Sequence, residues 1–311
     1  MTAVEAVALE SYRGELTGYC YRMLGAAFEA EDAVQETLVR AWRADYDPAR
    51  AALRTWLYAI ATNVCLDMLR SAQRRARAMD LGPAAAPGPD IGAPMPSSAW
   101  VQPLPDALAD PADLTTRRET IRLAFVAALQ QLPPRQRAVL ILREVLAFSA
   151  AEVAELLGTT VASANSALQR ARAAIRRPDP AEPLTAAHRD LLARYVAAFE
   201  RYDVAALTAL LHEDATTSMP PFTWWLRGRD HIAAALAHAD GTCANARLVP
   251  TSVNGSPAFG QYRWTGAHHE PMALVTLEVS RAGITSITTH LDLAGEFARY
   301  GLTDEFRPPA S

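Results

Sequence analysis

A stretch of polar side chains between Thr160 and Arg172 has the chemistry that reads the edges of DNA bases. Asn and Gln amides can bridge an adenine, Arg can grip guanine or a phosphate, and Ser can contact either. Apolar residues recur in the same stretch at Val161, Ala164 and Leu168, so a helix there carries the polar groups off its core face. A helix pair that binds no DNA is the alternative. The residues expected to contact duplex DNA are Thr160, Ser163, Asn165, Ser166, Gln169, Arg170 and Arg172.

A second set of side chains suits single-stranded or melting DNA. Spacings of 7, 4, 3 and 4 residues separate Trp56, Asn63, Asp67, Arg70 and Arg74. On a helix, these spacings confine the five side chains to about 60° of arc. An aromatic ring can stack on a base, an amide can bond a base edge, and arginines can contact phosphates. The alternative is a helix end with solvated arginines and a partly buried Trp.

A third set could bind a basic protein partner. Asp32, Gln35, Glu36 and Val39 form a stripe opposite the apolar face of the helix that begins near Ala30. This spacing predicts an acidic and polar docking face. An ordinary solvated helix face is the alternative.

The elements that must position these groups fall into blocks along the chain. Residues 5–78 read as all helix, and the third helix of this block is predicted to run on towards residue 78. Residues 79–113 contain eight prolines up to Pro111 and are acidic, which predicts a linker. In residues 114–177, Ser149 and Glu152 form a capping box, and a helix-turn-helix follows through Gly158.

The C-terminal block, residues 185–305, has a different pattern. Helices are predicted at 186–201, 203–212 and 229–239. Four apolar runs follow, and they predict a curved antiparallel sheet. They span residues 246–253, 258–264, 273–280 and 284–291.

The bulk composition limits the class of protein. The 311 residues are half hydrophobic, which predicts two or three packed domains. No apolar run is long enough for a membrane span, and the N-terminus does not resemble a signal peptide, so we expect a cytoplasmic protein. The three cysteines lie far apart, so neither a metal site nor a disulfide framework is expected, and no cofactor is. The sequence from Pro111 to Arg177 contains ten arginines and five acidic residues. The sequence from Pro178 to Ser311 contains ten arginines and fifteen acidic residues.

Two helical segments together resemble one family. AEDAVQETLVRAWR followed by LRTWLYAIATNVCLDMLR resembles the second conserved region of extracytoplasmic-function (ECF) sigma factors of the sigma-70 family. LPPRQRAVLILREVLAFSAAEVAELLGTTVASANSALQRARA resembles their fourth region. The resemblance covers roughly residues 8–177 and implies a transcription initiation factor that performs no covalent chemistry.

This resemblance assigns a role to each set of residues. The implied partners are RNA polymerase core, through its β′ and β subunits, and promoter DNA. The core-docking residues would be Asp32, Gln35, Glu36 and Arg40, and the 161–176 helix would enter the −35 element. The acidic linker would thread the basic RNA path of the polymerase. The residues that read and open the −10 element would be Trp56, Asn63, Asp67, Arg70, Arg74 and Arg75.

The C-terminal block resembles a SnoaL-like cone over roughly residues 186–300, and a subgroup of these sigma factors carries such a tail. The implied fold is multidomain, with two all-α domains (the sigma region 2 bundle and the sigma region 4 helix-turn-helix) plus an α+β cone. The tail would tune sigma activity, sense a small ligand or catalyse a proton transfer. Its expected pocket residues are His212, Asp214, Trp224, Trp225, His268, His290 and Asp292, with His269 beside them.

Two competing functions follow from the same residues. One is a dimeric, ligand-responsive helix-turn-helix repressor that binds two half-sites about one turn apart. The other is an enzyme, a cyclase or isomerase, built on the C-terminal cone. The first helical block has no role in a repressor, which favours the sigma factor.

Overall fold

A computed structural model of the chain describes residues 6–70, 75–88, 90–175, 184–238 and 243–305. The chain forms two compact units. Unit 1 comprises Met1–Ala76 and Val101–Pro180, and unit 2 comprises Arg77–Trp100 and Ala181–Ser311. No helix in the described part of the chain combines the length and the apolarity needed to cross a membrane.

The helices are, in chain order, α1 Ala6–Glu10, α2 Arg13–Leu24, α3 Ala27–Arg43, α4 Leu53–Met68, α5 Ala78–Leu81, α6 Pro111–Leu114, α7 Arg118–Ile121, α8 Leu123–Leu129, α9 Pro134–Leu140, α10 Ala150–Leu156, α11 Val161–Ala174, α12 Ala186–Glu200, α13 Val204–Ala209 and α14 Arg229–His238. A π-helical segment continues α9 over Ile141–Val145. The 3-10 segments are Ser97–Ala99, Asp106–Leu108 and Leu291–Tyr300. The strands are β1 Leu211–Ser218, β2 Trp225–Arg227, β3 Arg247–Val253, β4 Ser256–Trp264, β5 His269–Ser280 and β6 Gly283–His290.

The two helical blocks of unit 1 share one hydrophobic core. Leu57 and Tyr58 of the first block are fully buried in the same cluster as Leu142 and Val153 of the second block. Helix α2 contacts both α3 and α9, and α4 contacts both α9 and α10. The core that positions the predicted DNA-contacting helices is therefore common to both blocks.

A buried ion pair and an adjoining hydrogen bond attach the end of the predicted linker and the start of the second block to α2. Arg22 donates to both carboxylate oxygens of Asp113, at 2.9 and 3.1 Å, and both side chains are almost fully buried. Arg22 Nε also donates to the carbonyl of Thr120 at 3.0 Å. Gly18 makes this possible, since a Cβ at that position would lie 2.1 Å from the Asp113 carboxylate. Loss of one partner from such a pair costs about 3–5 kcal/mol, because the other charge stays buried.

The helix-turn-helix forms as its local sequence predicts. The Ser149 hydroxyl accepts from Glu152 N, and the Glu152 carboxylate accepts from Ser149 N, which confirms the capping box. Hydrogen bonds from Ser149 lower the pKa of the Glu152 carboxyl. Gly158 has a φ of 58°, the left-handed conformation that favours glycine in the turn. Thr160 then caps α11 by accepting from Ser163 N at 3.1 Å.

Helix α4 is shorter than predicted. It ends at Met68, and residues 75–77 are not helical, so the prediction of a helix running to residue 78 is wrong. Arg75 forms an ion pair with Glu29, and the carbonyl of Ala76 accepts from Val101 N at 3.2 Å. These contacts with distant parts of the chain replace the helical hydrogen bonds that the local pattern favours.

The first part of the proline-rich segment belongs to unit 2 and is folded onto the rest of that unit. We call residues 77–100 the strap. Ala85 N donates to Trp225 O and Met95 N donates to Pro221 O, both at 2.8 Å. The strap's Trp100 is 1% exposed and lies in a small apolar cluster with Trp225. The strap is thus packed against the region that connects β1 to β2.

Unit 2 is built on a mixed sheet. The order of its six described strands is β2-β1-β6-β5-β4-β3. The predicted runs correspond to β3 to β6, which pair antiparallel, but β1 pairs with β6 in parallel, so the expectation of a purely antiparallel sheet is wrong. The helix predicted over 203–212 ends at Ala209, and β1 begins at Leu211. Helices α12, α13 and α14 cover one another and the sheet.

Candidate nucleic-acid interface

Helix α11 presents a polar face to solvent. The buried positions are Ala164, Leu168 and Ala171, which hold the helix on the core of unit 1. All seven residues predicted from the sequence for duplex DNA are exposed on this helix or at its cap. Arg172 forms an ion pair with Glu144, so its guanidinium is already held at one edge of the face. The helix can therefore offer amides, hydroxyls and Arg170 to a groove without unfolding.

Helix α4 presents a second polar face, which is narrower than predicted. Asn63 and Asp67 are exposed, and Arg70 lies just beyond the helix end and pairs with Asp67 at 3.3 Å. Trp56 is half-buried, and its ring lies 5.0 Å from the ring of Tyr46. The structure thus brings Trp56, Asn63, Asp67 and Arg70 onto one side of α4, with part of the Trp ring available for stacking.

The arginines predicted beyond α4 do not extend this face. Arg75 is 7% exposed and forms an ion pair with Glu29, so its assignment to DNA contact is wrong. It also lies against Gly25, where a Cβ would be 3.2 Å from the Arg75 side chain. Arg74 lies outside the described residues.

The second helical block covers part of the α4 face. Glu155 and Leu156 of α10 line a cleft of about 350 Å³ together with Trp56 of α4. Arg54 of α4 also contacts the second block, with its guanidinium carbon 4.5 Å from the centre of the Phe148 ring and 5.1 Å from that of Tyr58. The rings of Tyr58 and Phe148 meet edge-on at 5.2 Å. Burial raises the pKa of the Tyr58 phenol, so it stays neutral here.

The predicted docking face lies on α3. Asp32, Gln35, Glu36 and Arg40 are all exposed, and Arg40 pairs with Glu36 at 2.6 Å. An aromatic residue that the sequence prediction did not include lies beside them, since Trp42 is in α3 and is 66% exposed. Its spacing of three residues from Val39 was the available signal. A shallow depression of about 220 Å³ is lined by Leu9, Glu10, Arg13, Gln35, Leu38, Val39 and Trp42.

Unit 2 contains an apolar cavity of about 210 Å³. Tyr195 and Phe199 of α12, Ile232 of α14, and strand residues such as Val275 form most of its wall. Of the predicted pocket residues, only Trp224 lines it. Among the described lining residues there is no Asp, Glu, His, Arg or Lys.

The other predicted pocket residues have different surroundings, so their assignment to this cavity is wrong. Trp225 is buried against the strap, and its Nε1 donates to Gly82 O at 3.0 Å. His290 is buried, and burial lowers its pKa to about 3. Burial raises the pKa of the Asp292 carboxyl. The remaining four lie elsewhere in unit 2, with Asp214 and His268 exposed, His212 half-buried, and His269 bonded to Asn245 O at 2.9 Å.

Comparison with known proteins gives matches along most of the chain. The family model for Sigma-70 region 2 matches residues 8–75, that for Sigma-70, region 4 matches residues 122–175, and a SnoaL-like domain matches residues 192–288. ECF RNA polymerase sigma factor SigG of Mycobacterium tuberculosis is 43% identical over 312 residues, which cover 95% of this chain and 83% of the relative. ECF RNA polymerase sigma factor SigJ of the same organism is 31% identical over 224 residues, which cover 68% of this chain and 64% of the relative.

A solved structure has the same fold. The crystal structure of the Mycobacterium tuberculosis extracytoplasmic function sigma factor SigJ matches with a TM-score of 0.63 and 24% sequence identity. The match covers 96% of this chain and 100% of that one. The two chains therefore share their fold.

Proposed function

The chain belongs to the extracytoplasmic-function RNA polymerase sigma factors, and on that basis we propose which of its surfaces contact the polymerase and the promoter. As a sigma factor it directs RNA polymerase core to promoters for transcription initiation. The single observation that carries the assignment of surfaces is the exposure of three separate polar helix faces on one helical unit.

The α3 face is the proposed docking site for polymerase core. Asp32, Gln35 and Glu36 offer carboxylates and an amide to a basic partner, and Arg40 adds one cation at the edge. The neighbouring Trp42 supplies exposed aromatic area, which is common at the centre of interfaces. This combination supports a contact with the β′ subunit.

The α11 and α4 faces are the proposed promoter contacts. Amides and hydroxyls on α11 suit the major groove of the −35 element. On α4, the half-buried Trp56 with Asn63 and Arg70 suits the melting strand of the −10 element. Arg75 is left out of this proposal, because it is buried in an ion pair.

Unit 1 must open for both contacts to form at once. The −35 and −10 elements are centred about 25 base pairs apart, so they lie about 85 Å apart along a duplex with a rise of about 3.4 Å per base pair. In this structure α10 contacts α4, and Glu155 and Leu156 line the same cleft as Trp56. We therefore assign the packed form of unit 1 to the factor before promoter engagement.

We propose further that unit 2 tunes sigma activity by holding the strap. Residues 77–100 connect the two halves of unit 1 along the chain, and the strap is bound to the rest of unit 2 by backbone and Trp225 hydrogen bonds. A segment held in this way is withheld from the polymerase groove that the linker of a sigma factor would enter. Catalysis by unit 2 has no support in the cavity, whose described lining contains no carboxylate or imidazole to move a proton.

In vitro transcription with purified core polymerase tests the proposal. Genomic fragments that include the gene's own upstream region are transcribed with the full-length protein and with Trp225→Phe, which removes the hydrogen bond to Gly82. Trp264→Phe is the matched control, because Trp264 is 41% exposed in the same unit. We expect specific transcripts, and a yield that changes for Trp225→Phe but not for the control.

Two results would count against these assignments. If the yield with Trp225→Phe equals the yield with the unaltered protein, the strap does not tune the factor. If no transcript forms and duplex DNA binds tightly without core, the proposed division of surfaces fails and the repressor hypothesis replaces it.

A further inference from the structure

We propose that the cavity of unit 2 binds a small, uncharged, mostly apolar molecule that carries a carbonyl-type hydrogen-bond acceptor. We propose also that its occupancy stabilises the bound strap, and only this second part rests on the proposed function. The cavity lies within unit 2, so the binding part of the proposal needs neither polymerase nor DNA.

The size of the cavity limits the ligand. A dry cavity of about 150 Å³ lined by Leu, Ile and Phe accepts benzene. The cavity here encloses about 210 Å³. By proportion it accepts a molecule of roughly eight to ten non-hydrogen atoms. A monocyclic aromatic ketone or ester is of this size.

The lining determines the charge of the ligand. Among the described lining residues there is no charged side chain, so an anion or cation would be desolvated without a counter-charge. Most of the wall is aliphatic or aromatic, including Leu207, Ile232 and Val275. An uncharged and mostly apolar molecule is the one that this wall favours.

Two of the residues that line the cavity, Trp224 and Gln261, carry hydrogen-bond donors without a strong acceptor in the described part of the chain. Trp224 Nε1 is buried and has no hydrogen-bond partner among the described residues. Gln261 is 2% exposed, and its Nε2 contacts Met272 Sδ at 3.4 Å and Cys243 Sγ at 3.5 Å. Sulfur is a weak acceptor, whereas a carbonyl oxygen is a strong one. A ligand carbonyl would satisfy Trp224, since buried donors are nearly always paired.

The same short segment walls the cavity and holds the strap. Met219 and Trp224 line the cavity. Between them, Pro221 O accepts from Met95 of the strap at 2.8 Å. The next residue, Trp225, accepts from Ala85 N at 2.8 Å. A ligand that orders Trp224 therefore also orders residues 219–225, the segment whose carbonyl groups accept hydrogen bonds from the strap.

The experiment uses the full chain labelled with ¹⁵N at its tryptophan indoles, of which there are six. Trp224→Phe and Trp225→Phe identify the two signals of interest. The Trp224 indole reports the cavity, and the Trp225 indole, bonded to Gly82 O, reports the strap. Acetophenone is the probe. α-Methylstyrene, which has a methylene group in place of the carbonyl oxygen, is its matched control, and benzoate is the charged control.

We expect acetophenone to shift the Trp224 indole downfield and to slow hydrogen exchange at the Trp225 indole. α-Methylstyrene should bind without the downfield shift, and benzoate should not bind. Trp224→Phe should weaken acetophenone about threefold to tenfold, the usual effect of one neutral hydrogen bond, and leave α-methylstyrene within about twofold. Ala235→Leu should fill the cavity and abolish binding, whereas Ala237→Leu, exposed on the same helix, should not.

Each of the following outcomes contradicts one part of the proposal. If the Trp224 indole stays unshifted at saturating acetophenone, and the Ala237→Leu control shows that the protein is folded, the cavity is not a binding site. Equal shifts with acetophenone and α-methylstyrene remove the role of the acceptor. A shifted Trp224 indole with unchanged exchange at Trp225 removes the coupling to the strap. Failure of transcription assays affects none of these readouts.

Discussion

Phe148→Ala is the sharpest test of the packed form of unit 1. Phe148 is 3% exposed and belongs to the second helical block, whereas its ring neighbours, Arg54 and Tyr58, lie on α4 of the first block. The substitution removes both ring contacts and leaves the predicted DNA faces unchanged. We expect it to favour the open form.

The structure sets the magnitude of the effect. An edge-on aromatic pair contributes about 0.5–1.5 kcal/mol beyond its burial. The contact of Arg54, whose side chain is 35% exposed, with the Phe148 ring contributes about 0.5–1 kcal/mol. The sum of about 1–2.5 kcal/mol corresponds to roughly a 5- to 70-fold rise in the ratio of open to closed molecules. Affinity for core rises by up to the same factor if only the open form binds.

Spin labels measure the opening directly. Asp67→Cys on α4 and Gln169→Cys on α11 place labels at exposed positions of the two blocks. Cys20 and Cys65 are fully buried, so a Cys243→Ala background leaves only the two introduced thiols accessible. We expect a longer-distance population to grow in Phe148→Ala, and core affinity measured by fluorescence anisotropy to rise with it.

Val161→Ala is the control, because Val161 is 44% exposed and lies in the same block. It should change neither the distance distribution nor core affinity. The reasoning about closure is refuted if Phe148→Ala gives the distance distribution of the unaltered protein. It is also refuted if the population shifts while core affinity stays the same.

Four further results are expected. Asp32→Arg should weaken core binding about tenfold through charge reversal while thermal unfolding is unchanged, and an unaltered affinity would remove the α3 docking face. Asn63→Ala and Arg70→Ala should lower permanganate reactivity of open complexes more than core binding, and equal losses would contradict the −10 assignment. Gln169→Ala should cost about 1–3 kcal/mol on its preferred −35 sequence only, so a uniform loss over all sequences argues against base contact. Because His290, whose pKa burial lowers from 6.5 to about 3, is protonated only in the unfolded chain, the free energy of unfolding of unit 2 should fall by roughly 2 kcal/mol between about pH 7 and pH 5. His290→Leu should flatten that dependence, and a slope equal to that of the unaltered protein would refute the burial argument.

The helix-turn-helix could be predicted from sequence because its determinants are local. The cap at Thr160, the capping box at Ser149 and the turn at Gly158 each act within a few residues. The apolar repeat of α11 then separates buried from exposed positions without knowledge of the rest of the chain.

The end of α4 could not be predicted, because distant residues determine it. The arginine-rich sequence after Met68 favours a continued helix. Arg75 instead pairs with Glu29, 46 residues away, and Ala76 bonds Val101. An arginine in such a sequence looks solvated, and only the tertiary structure shows that this one is buried.

The cavity residues were missed for a related reason. His and Asp residues were predicted to line the cavity because of their chemistry, but the described cavity wall is lined by apolar and neutral polar residues. Strand β1 carries Glu213 and Asp214 at its exposed positions, so its sequence does not look like part of a core sheet. Its parallel pairing with β6 is a long-range feature that no local pattern encodes.

Under the proposed scheme the strap has two competing binding sites, one on the rest of unit 2 and one on the polymerase. Proline lacks a backbone N–H donor. The strap therefore binds the rest of unit 2 through the backbone N–H groups of its other residues, such as Ala85 and Met95. Each contributes only about 0.5–1.5 kcal/mol, which a polymerase contact can match. Asp80 is paired with Arg77 on unit 2, whereas Asp90 is exposed and ready for a basic groove. Under the proposed scheme the two sites compete for one segment, so the ratio of their affinities, and not the strength of either alone, sets the activity of the factor.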